Sequence, residues 1–143
     1  MSHSIFFDLY IKAESSKIFA AITEPAHLEN WWPLKCSGEP ILGASYNFNF
    51  TDDYDWYAKI GSVKKDSHVY YKMTQSDVDW NLTIFGFELS TLTDGKTLIQ
   101  FSHTGWQSNN HEYRNSAYCW AQLLRGLKEY VENGVVVAFE ERS

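Results

Sequence analysis

The side chains best suited to chemistry lie in one stretch of the sequence, FSHTGWQSNNHEYRNSAYCW, at positions 101–120. His103 falls on the same alternating face as the apolar Ile99, and a polar loop separates Trp106 from Trp120 further along the chain. A histidine in this position has three compatible roles: a hydrogen-bonded residue of the core, a polar contact in a pocket, or a general base. The last role requires a partner and a substrate proton within hydrogen-bond reach. Spacing alone leaves all three roles open.

The other polar motifs lack the spacing that known chemistry requires. The sequence HEYRN at 111–115 has no second histidine four residues after the first, so the zinc-protease pattern is absent. The acidic stretches DDYD (52–55) and SDVD (76–79) lack the glycine and the terminal glutamate of a calcium loop. No serine or cysteine stands in a nucleophile motif. The sequence therefore predicts no catalytic residue, no metal and no cofactor, and it favours a protein that is not an enzyme.

Aromatic side chains are unusually frequent. The 143 residues include six tryptophans, nine tyrosines and nine phenylalanines, which make up 17% of the chain. Rings of this size bring more apolar area than a minimal core of this length needs. Some of them are therefore expected to line a cavity.

Charge and cysteine usage restrict the partners and the compartment. The formal net charge of -6 opposes binding to phosphate backbones, which excludes nucleic acid as an expected partner. No window reaches the 18 or so apolar residues of a membrane span, and the N-terminus lacks a leader pattern. Cys36 and Cys119 lie far apart and are most simply read as reduced thiols. These features predict a cytoplasmic protein.

Period-two alternation of apolar residues predicts antiparallel strands over most of the chain. The predicted strands are SIFFDLYIKA (4–13), YNFNF (46–50), YDWYAKIGSVKKD (54–66), VYYKM (69–73), WNLTIFGFELSTL (80–92) and KTLIQFSHTGW (96–106). The alternation slips near Gly61 and Gly86, which predicts bulges that bend the sheet.

Two regions have helical patterns. The stretch 14–32 predicts two short helices after the first strand, the second beginning at Pro25. From about 110 to 133, apolar residues recur at helical spacing, and Gly134 provides a stop for one long amphipathic helix. This order predicts an α+β fold in which a curved antiparallel sheet of about six strands surrounds the long C-terminal helix, with a hollow between them.

The order of elements and four local stretches resemble the START-like superfamily, also called SRPBCC, helix-grip or START/Bet v 1-like. Within it, they resemble the family similar to the activator of the heat-shock protein 90 ATPase. The stretches are IKAESSKIFAAITEPAHLENWW (11–32), GASYNFNF (43–50), FSHTGW (101–106) and WAQLLRGLKEYVENG (120–134). The resemblance implies a single START-like domain over 1–143, with a hydrophobic cavity under the long helix that is open to a small apolar ligand. It implies no particular reaction.

Twelve residues are predicted to line or close this hollow. They come from the end of the second short helix, from the inward phases of the strands and from the corner at 103–120. The set is Trp31, Trp32, Phe48, Phe50, Tyr71, Ile84, Phe87, Phe101, His103, Trp106, Trp120 and Leu124.

Three hypotheses for function follow. The first is non-enzymatic binding of a small hydrophobic ligand, lipid-like or polycyclic and aromatic, in the cavity between the sheet and the C-terminal helix. The second is a chaperone-associated module of the stress response, similar to the activators of the heat-shock protein 90 ATPase. The third and least favoured is a cyclase-like enzyme of the same superfamily, in which a pocket histidine or carboxylate moves a proton. The expected partners are a small hydrophobic molecule and, on the second hypothesis, a chaperone; monomer and homodimer both stay open.

Overall fold

The computed structural model describes residues 2–142. Its strands are β1 (His3–Ile11), β2 (Lys35–Ser37), β3 (Ser45–Thr51), β4 (Tyr54–Lys64), β5 (His68–Gln75), β6 (Ile84–Thr91) and β7 (Thr97–Trp106). Its helices are α1 (Ser15–Thr23), α2 (Pro25–Leu28) and α3 (His111–Asn133), and a 3₁₀ turn follows at Phe139–Glu141. The predicted α+β order of one strand, two short helices, a run of strands and a long helix is confirmed.

The strands form one curved antiparallel sheet in the order β1-β7-β6-β5-β4-β3-β2. It has seven strands where the sequence predicts about six. The additional strand is β2, which pairs with β3 through only three residues, Lys35 to Ser37. Three residues are too few to show a period-two pattern, so alternation could not reveal it.

The edge strand β1 shows the predicted alternation clearly. Ile5 and Ile11 are buried, while Phe6 and Tyr10 on the other face are 69% and 57% exposed. β1 pairs with β7 from His3 to Ile11. The first strand of the chain therefore lies beside the last, and β7 is flanked by β1 and β6.

The two predicted bulges have different outcomes. The pairing of β4 with β5 shifts register between Ile60 and Ser62, so the bulge at Gly61 is confirmed. The prediction of a bulge at Gly86 is wrong, because β6 pairs in regular register with both of its neighbours. Gly86 is required for a different reason. The ring of Tyr70 lies directly over its Cα, where a Cβ would clash with it.

Strand β6 is also shorter than predicted. The sequence assigns residues 80–92 to a strand, whereas residues 78–82 form turns and β6 begins at Ile84. Leu82 in this turn has a φ of 66°, in the left-handed region. The inward-facing residues of β6 are consequently Phe85, Phe87 and Leu89.

Helix α3 packs its apolar stripe against the sheet. The side chain of Asn110 caps its first turn by accepting a hydrogen bond from the Tyr113 backbone N–H at 3.2 Å. The helix ends at Gly134, which has a φ of 70° and acts as the predicted stop. Buried side chains follow one face from Trp120 to Val131. Among residues 2–142, no helix is long and apolar enough to cross a membrane.

Candidate ligand-binding site

A cavity of about 550 Å³ lies at one end of α3. Its walls come from α3, from β3 and β4, from the turns that precede β6, and from the segment around the 3₁₀ turn. This volume falls within the range of roughly 300 to 1,000 Å³ that is usual for small-molecule sites. The hollow predicted between sheet and helix is therefore present, but it is displaced toward the β3–β4 side.

Five aromatic side chains form a closed circuit in the cavity wall. Trp32 lies 5.6 Å from Phe50 between ring centroids, and Phe50 lies 5.1 Å from Trp56. Trp56 lies 4.7 Å from Trp80, and Trp80 is stacked on Trp120 at 5.9 Å. Trp120 lies 5.0 Å from Trp32, which closes the circuit. All five line the cavity, so its wall is a continuous aromatic surface.

The helix contributes small side chains between these rings. Ser116 and Cys119 of α3 line the cavity, and Ser116 is buried. The Ser116 hydroxyl accepts a hydrogen bond from the indole N–H of Trp80 at 3.0 Å, which fixes that ring. Burial raises the pKa of the Cys119 thiol, so the thiol is protonated at neutral pH and presents an uncharged surface.

The charged lining residues are mostly acidic. Asp77, Glu112 and Glu140 line the cavity and are also exposed to solvent, which places them at its rim. Desolvation raises the pKa of Asp77, and the negative charges of Glu112 and Asp79 raise it further. The rim is therefore a region of negative potential at neutral pH.

Arg142 is the one basic side chain among the described lining residues. Its guanidinium donates from Nε to the Val137 carbonyl at 2.9 Å and from Nη1 to the carbonyls of Trp32 and Pro33 at 3.3 Å and 3.0 Å. These bonds tie the C-terminal segment to the loop after α2. The segment thereby covers one side of the cavity.

His103 is fully buried beneath the aromatic wall. The indole N–H of Trp120 donates to its Nδ1 at 3.0 Å, so the ring proton resides on Nε2, which donates to the Thr83 hydroxyl at 2.7 Å. That hydroxyl in turn donates to the Trp80 carbonyl at 2.6 Å. Burial lowers the pKa of His103 to about 3, so the imidazole is neutral. Both ring nitrogens are used within the protein, which favours the structural role among the three compatible with the sequence.

The structure brings three of the twelve predicted residues, Trp32, Phe50 and Trp120, to this cavity. Trp31 lies behind Trp32, where its indole N–H donates to the Ala21 carbonyl at 2.9 Å, and it borders a separate cavity of about 180 Å³. The remaining inward-facing residues pack in the core without lining the 550 Å³ cavity. They are Phe48, Tyr71, Phe87, Phe101, His103, Trp106 and Leu124.

Ile84 does not face the interior. It pairs in register with Thr104 and with the exposed Lys72, and residues in register share a face of a sheet. Its neighbour Phe85 faces the interior instead, and the centroid of its ring lies 5.5 Å from that of Trp120. The assignment of Ile84 to the wall is thus a phase error, caused by starting the strand at Trp80 rather than at Ile84.

Several lining residues escaped the sequence prediction. Trp56 and Tyr54 lie in β4, and the predicted strand 54–66 does not by itself assign either side chain to the cavity. The sequence predicts a strand at Trp80, whereas this residue lies in a turn and its ring lines the cavity. Phe139 and its neighbours lie beyond the long helix, where no periodicity signals a contact.

The family follows from comparison of this sequence with known proteins. The profile of the family described as activator of Hsp90 ATPase homolog 1-like protein matches residues 12–132. The chain belongs to this family. Comparison with curated proteins gives no match.

Solved structures agree with membership of the activator of Hsp90 ATPase homolog 1-like family. The Aha1 dimer from Colwellia psychrerythraea is 25% identical, with a TM-score of 0.83 over 92% of this chain and 98% of that chain. An AHSA1-like protein from Rhizobium etli is 21% identical, with a TM-score of 0.74 over 93% and 84% of the two chains. CalU16 from Micromonospora echinospora is 16% identical, with a TM-score of 0.76 over 99% and 81%. The last two show likeness of fold alone. At the level of the family, these findings support a ligand-binding or Hsp90-associated module.

Proposed function

We propose that the protein binds a small hydrophobic molecule in the 550 Å³ cavity between the sheet and α3, without transforming it. The observation that carries this proposal is the closed circuit of five aromatic rings in the cavity wall. Rings that only fill a core pack against other side chains on all sides, whereas all five of these line the cavity, and Phe50 and Trp56 are only partly buried. A wall of this kind suits a flat aromatic or other apolar body. We place this role in the cytoplasm, where Cys36 and Cys119 would stay reduced.

Binding is favoured over catalysis by the position of the polar groups. A cyclase-like reaction needs a base that can reach the substrate proton. His103 does not line the cavity, and its two nitrogens are occupied by Trp120 and Thr83. The carboxylates of the lining, Asp77, Glu112 and Glu140, are exposed to solvent at the rim rather than buried in the aromatic wall.

Family membership supports a second candidate, a module associated with a chaperone of the Hsp90 class. This role would use the surface of the protein rather than its cavity. Titrating the purified protein into the cognate chaperone and measuring ATP hydrolysis separates the two. We expect no saturable stimulation, and a clear one would rank the chaperone role first.

A neutral probe tests the cavity directly. N-phenyl-1-naphthylamine should bind with saturation and quench tryptophan emission, because four indoles border the site. Cys119→Phe fills part of the cavity with a phenyl ring. It should weaken probe binding by about tenfold or more, because the probe loses the contacts that one of its own rings would make in that space. Cys36→Phe is the matched control, since Cys36 has similar half-burial and does not line the cavity.

The control variant should bind the probe within about twofold of the wild type. Both variants are first checked for folding by thermal melting. Equal loss of binding in the two variants, or no saturable binding by the wild type, would contradict the proposal. If the probe binds as expected, native mass spectrometry of protein purified from its own source would identify the chemical class of any molecule that copurifies.

A further inference from the structure

The aromatic circuit and the charges at its rim together restrict the ligand class. The faces of tryptophan rings carry negative electrostatic potential and attract cations within about 6 Å of the ring centroid. Four tryptophans and one phenylalanine of the circuit line the same cavity, so a cationic group bound there would lie close to several rings. An uncharged ligand would gain apolar contact from these rings but not this attraction.

The charged groups at the rim are mostly negative, so they have the same electrostatic sign as the ring faces. Asp77 of the turn before β6, Glu112 of α3 and Glu140 of the C-terminal segment approach the cavity from three separate elements. The pKa of Asp77 is raised by desolvation and then by its acidic neighbours Glu112 and Asp79, which shows that these carboxylates repel one another. A bound cation would relieve this repulsion, whereas an anion would increase it.

The single basic residue of the lining does not reverse this balance. The Nε and Nη1 groups of Arg142 already donate to three backbone carbonyls, those of Val137, Trp32 and Pro33. These hydrogen bonds hold the guanidinium between the C-terminal segment and the loop after α2. With three carboxylates against one guanidinium, the potential at the rim stays negative.

We propose that the cavity selects organic cations, in which an ammonium group is attached to an apolar or aromatic body. The body would lie against the rings, and the ammonium group would lie between the tryptophan faces and the rim carboxylates. This inference rests on the proposed binding function and specifies its ligand class.

Three probes that share a 2-naphthylmethyl body test the inference. They are (2-naphthylmethyl)trimethylammonium, its neutral carbon isostere 2-neopentylnaphthalene, and 2-naphthylacetate. We expect the ammonium probe to bind about tenfold more tightly than the neutral isostere, which is the size expected of a partly desolvated cation–π contact. The carboxylate probe should bind most weakly. Tryptophan quenching gives the dissociation constants.

Two sets of variants assign the preference to its source. Asp77→Asn/Glu112→Gln should reduce the advantage of the cation, while the control Asp8→Asn/Glu39→Gln makes the same change in net charge at exposed residues outside the cavity. Trp56→Leu keeps an apolar side chain but a smaller one, and it removes one ring face. Both probes lose apolar contact, but only the ammonium probe also loses the attraction to the ring face, so its affinity should fall by several fold more than that of the neutral probe.

The outcomes separate the two proposals. If the neutral or the anionic probe binds as tightly as the cation, the inference is wrong and the binding function stands. Equal effects of the two double variants would also overturn it, because the preference would then come from the overall charge of the protein. If none of the three probes binds to the folded wild type, both the inference and the proposed function fail.

Discussion

His103 makes the stability of this protein sensitive to acid. In the folded protein burial lowers its pKa to about 3, whereas the ordinary value, expected in the unfolded chain, is 6.5. Below pH 6.5 the unfolded chain therefore binds a proton that the folded protein does not, so acid favours unfolding. Each pH unit below 6.5 lowers the free energy of unfolding by about 1.4 kcal/mol. The loss continues until the pH approaches the folded pKa.

The structure gives the reason for this value. Protonation would place a second hydrogen on the imidazole at Nδ1, where the indole N–H of Trp120 already points. The charged ring would also lie in a fully buried site among aromatic side chains. In the described structure, no carboxylate forms a salt bridge with this ring that could offset its charge.

The variant His103→Gln removes the titrating group while keeping one donor and one acceptor. We expect the wild type to lose about 2.3 kcal/mol of unfolding free energy through His103 between pH 6.5 and roughly 4.5. The variant should be less stable at neutral pH by about 1–3 kcal/mol, because its amide cannot reproduce both hydrogen bonds. Its stability should then fall less steeply with acid.

Urea unfolding followed by tryptophan emission, at about pH 7 and about pH 4.5, measures the two slopes. His111→Gln is the matched control, since His111 is exposed at the start of α3 and the variant should retain the wild-type slope. Parallel loss of stability in wild type and His103→Gln would refute the reasoning. It would show that His103 is not held neutral in the folded protein.

Two further predictions concern packing. Trp120→Ala should lower the free energy of unfolding by roughly 3–5 kcal/mol, because the ring is 1% exposed and its loss also leaves Nδ1 of His103 without a donor. Urea unfolding measures this loss, and a value below about 1.5 kcal/mol would show that the ring is loosely packed. Gly86→Ala should cost about 1–3 kcal/mol, because the ring of Tyr70 must move and weaken its bond to Glu88. Gly126→Ala is the control, since its added Cβ meets nothing within 4 Å, and it should be neutral or stabilising in the same assay.

The fold was predictable because its elements have strong local signals. The alternation in β1 and the apolar stripe on α3 each persist over many residues. Gly134 ends α3 in the left-handed conformation that glycine adopts readily. β2 was not predictable, since three residues carry no period. The reason for Gly86 was not predictable either, because the contact that requires glycine comes from the ring of Tyr70 on the neighbouring strand and not from a bulge.

The candidate site was predictable only in part, because its position depends on long-range packing. Trp120 belongs to α3, whose apolar face can be read from helical spacing, whereas Trp32 lies in the loop after α2, which ends at Leu28. Trp80 lies in a turn, and its direction depends on the left-handed Leu82 and on the bond to Ser116. Phe139 approaches from beyond α3, and its contact with the cavity has no local sequence signal.

The aromatic wall is held in place before any ligand arrives. The indole N–H groups of Trp80 and Trp120 are bonded to Ser116 and His103, and both acceptors are buried. Fixing a ring in advance removes the conformational entropy that a ligand would otherwise have to overcome. The opposite side is held differently, by the guanidinium bonds of Arg142 to main-chain carbonyls of the loop after α2. These bonds are few and only partly buried, so the C-terminal segment can separate from that loop at lower cost than the tryptophans can leave the core.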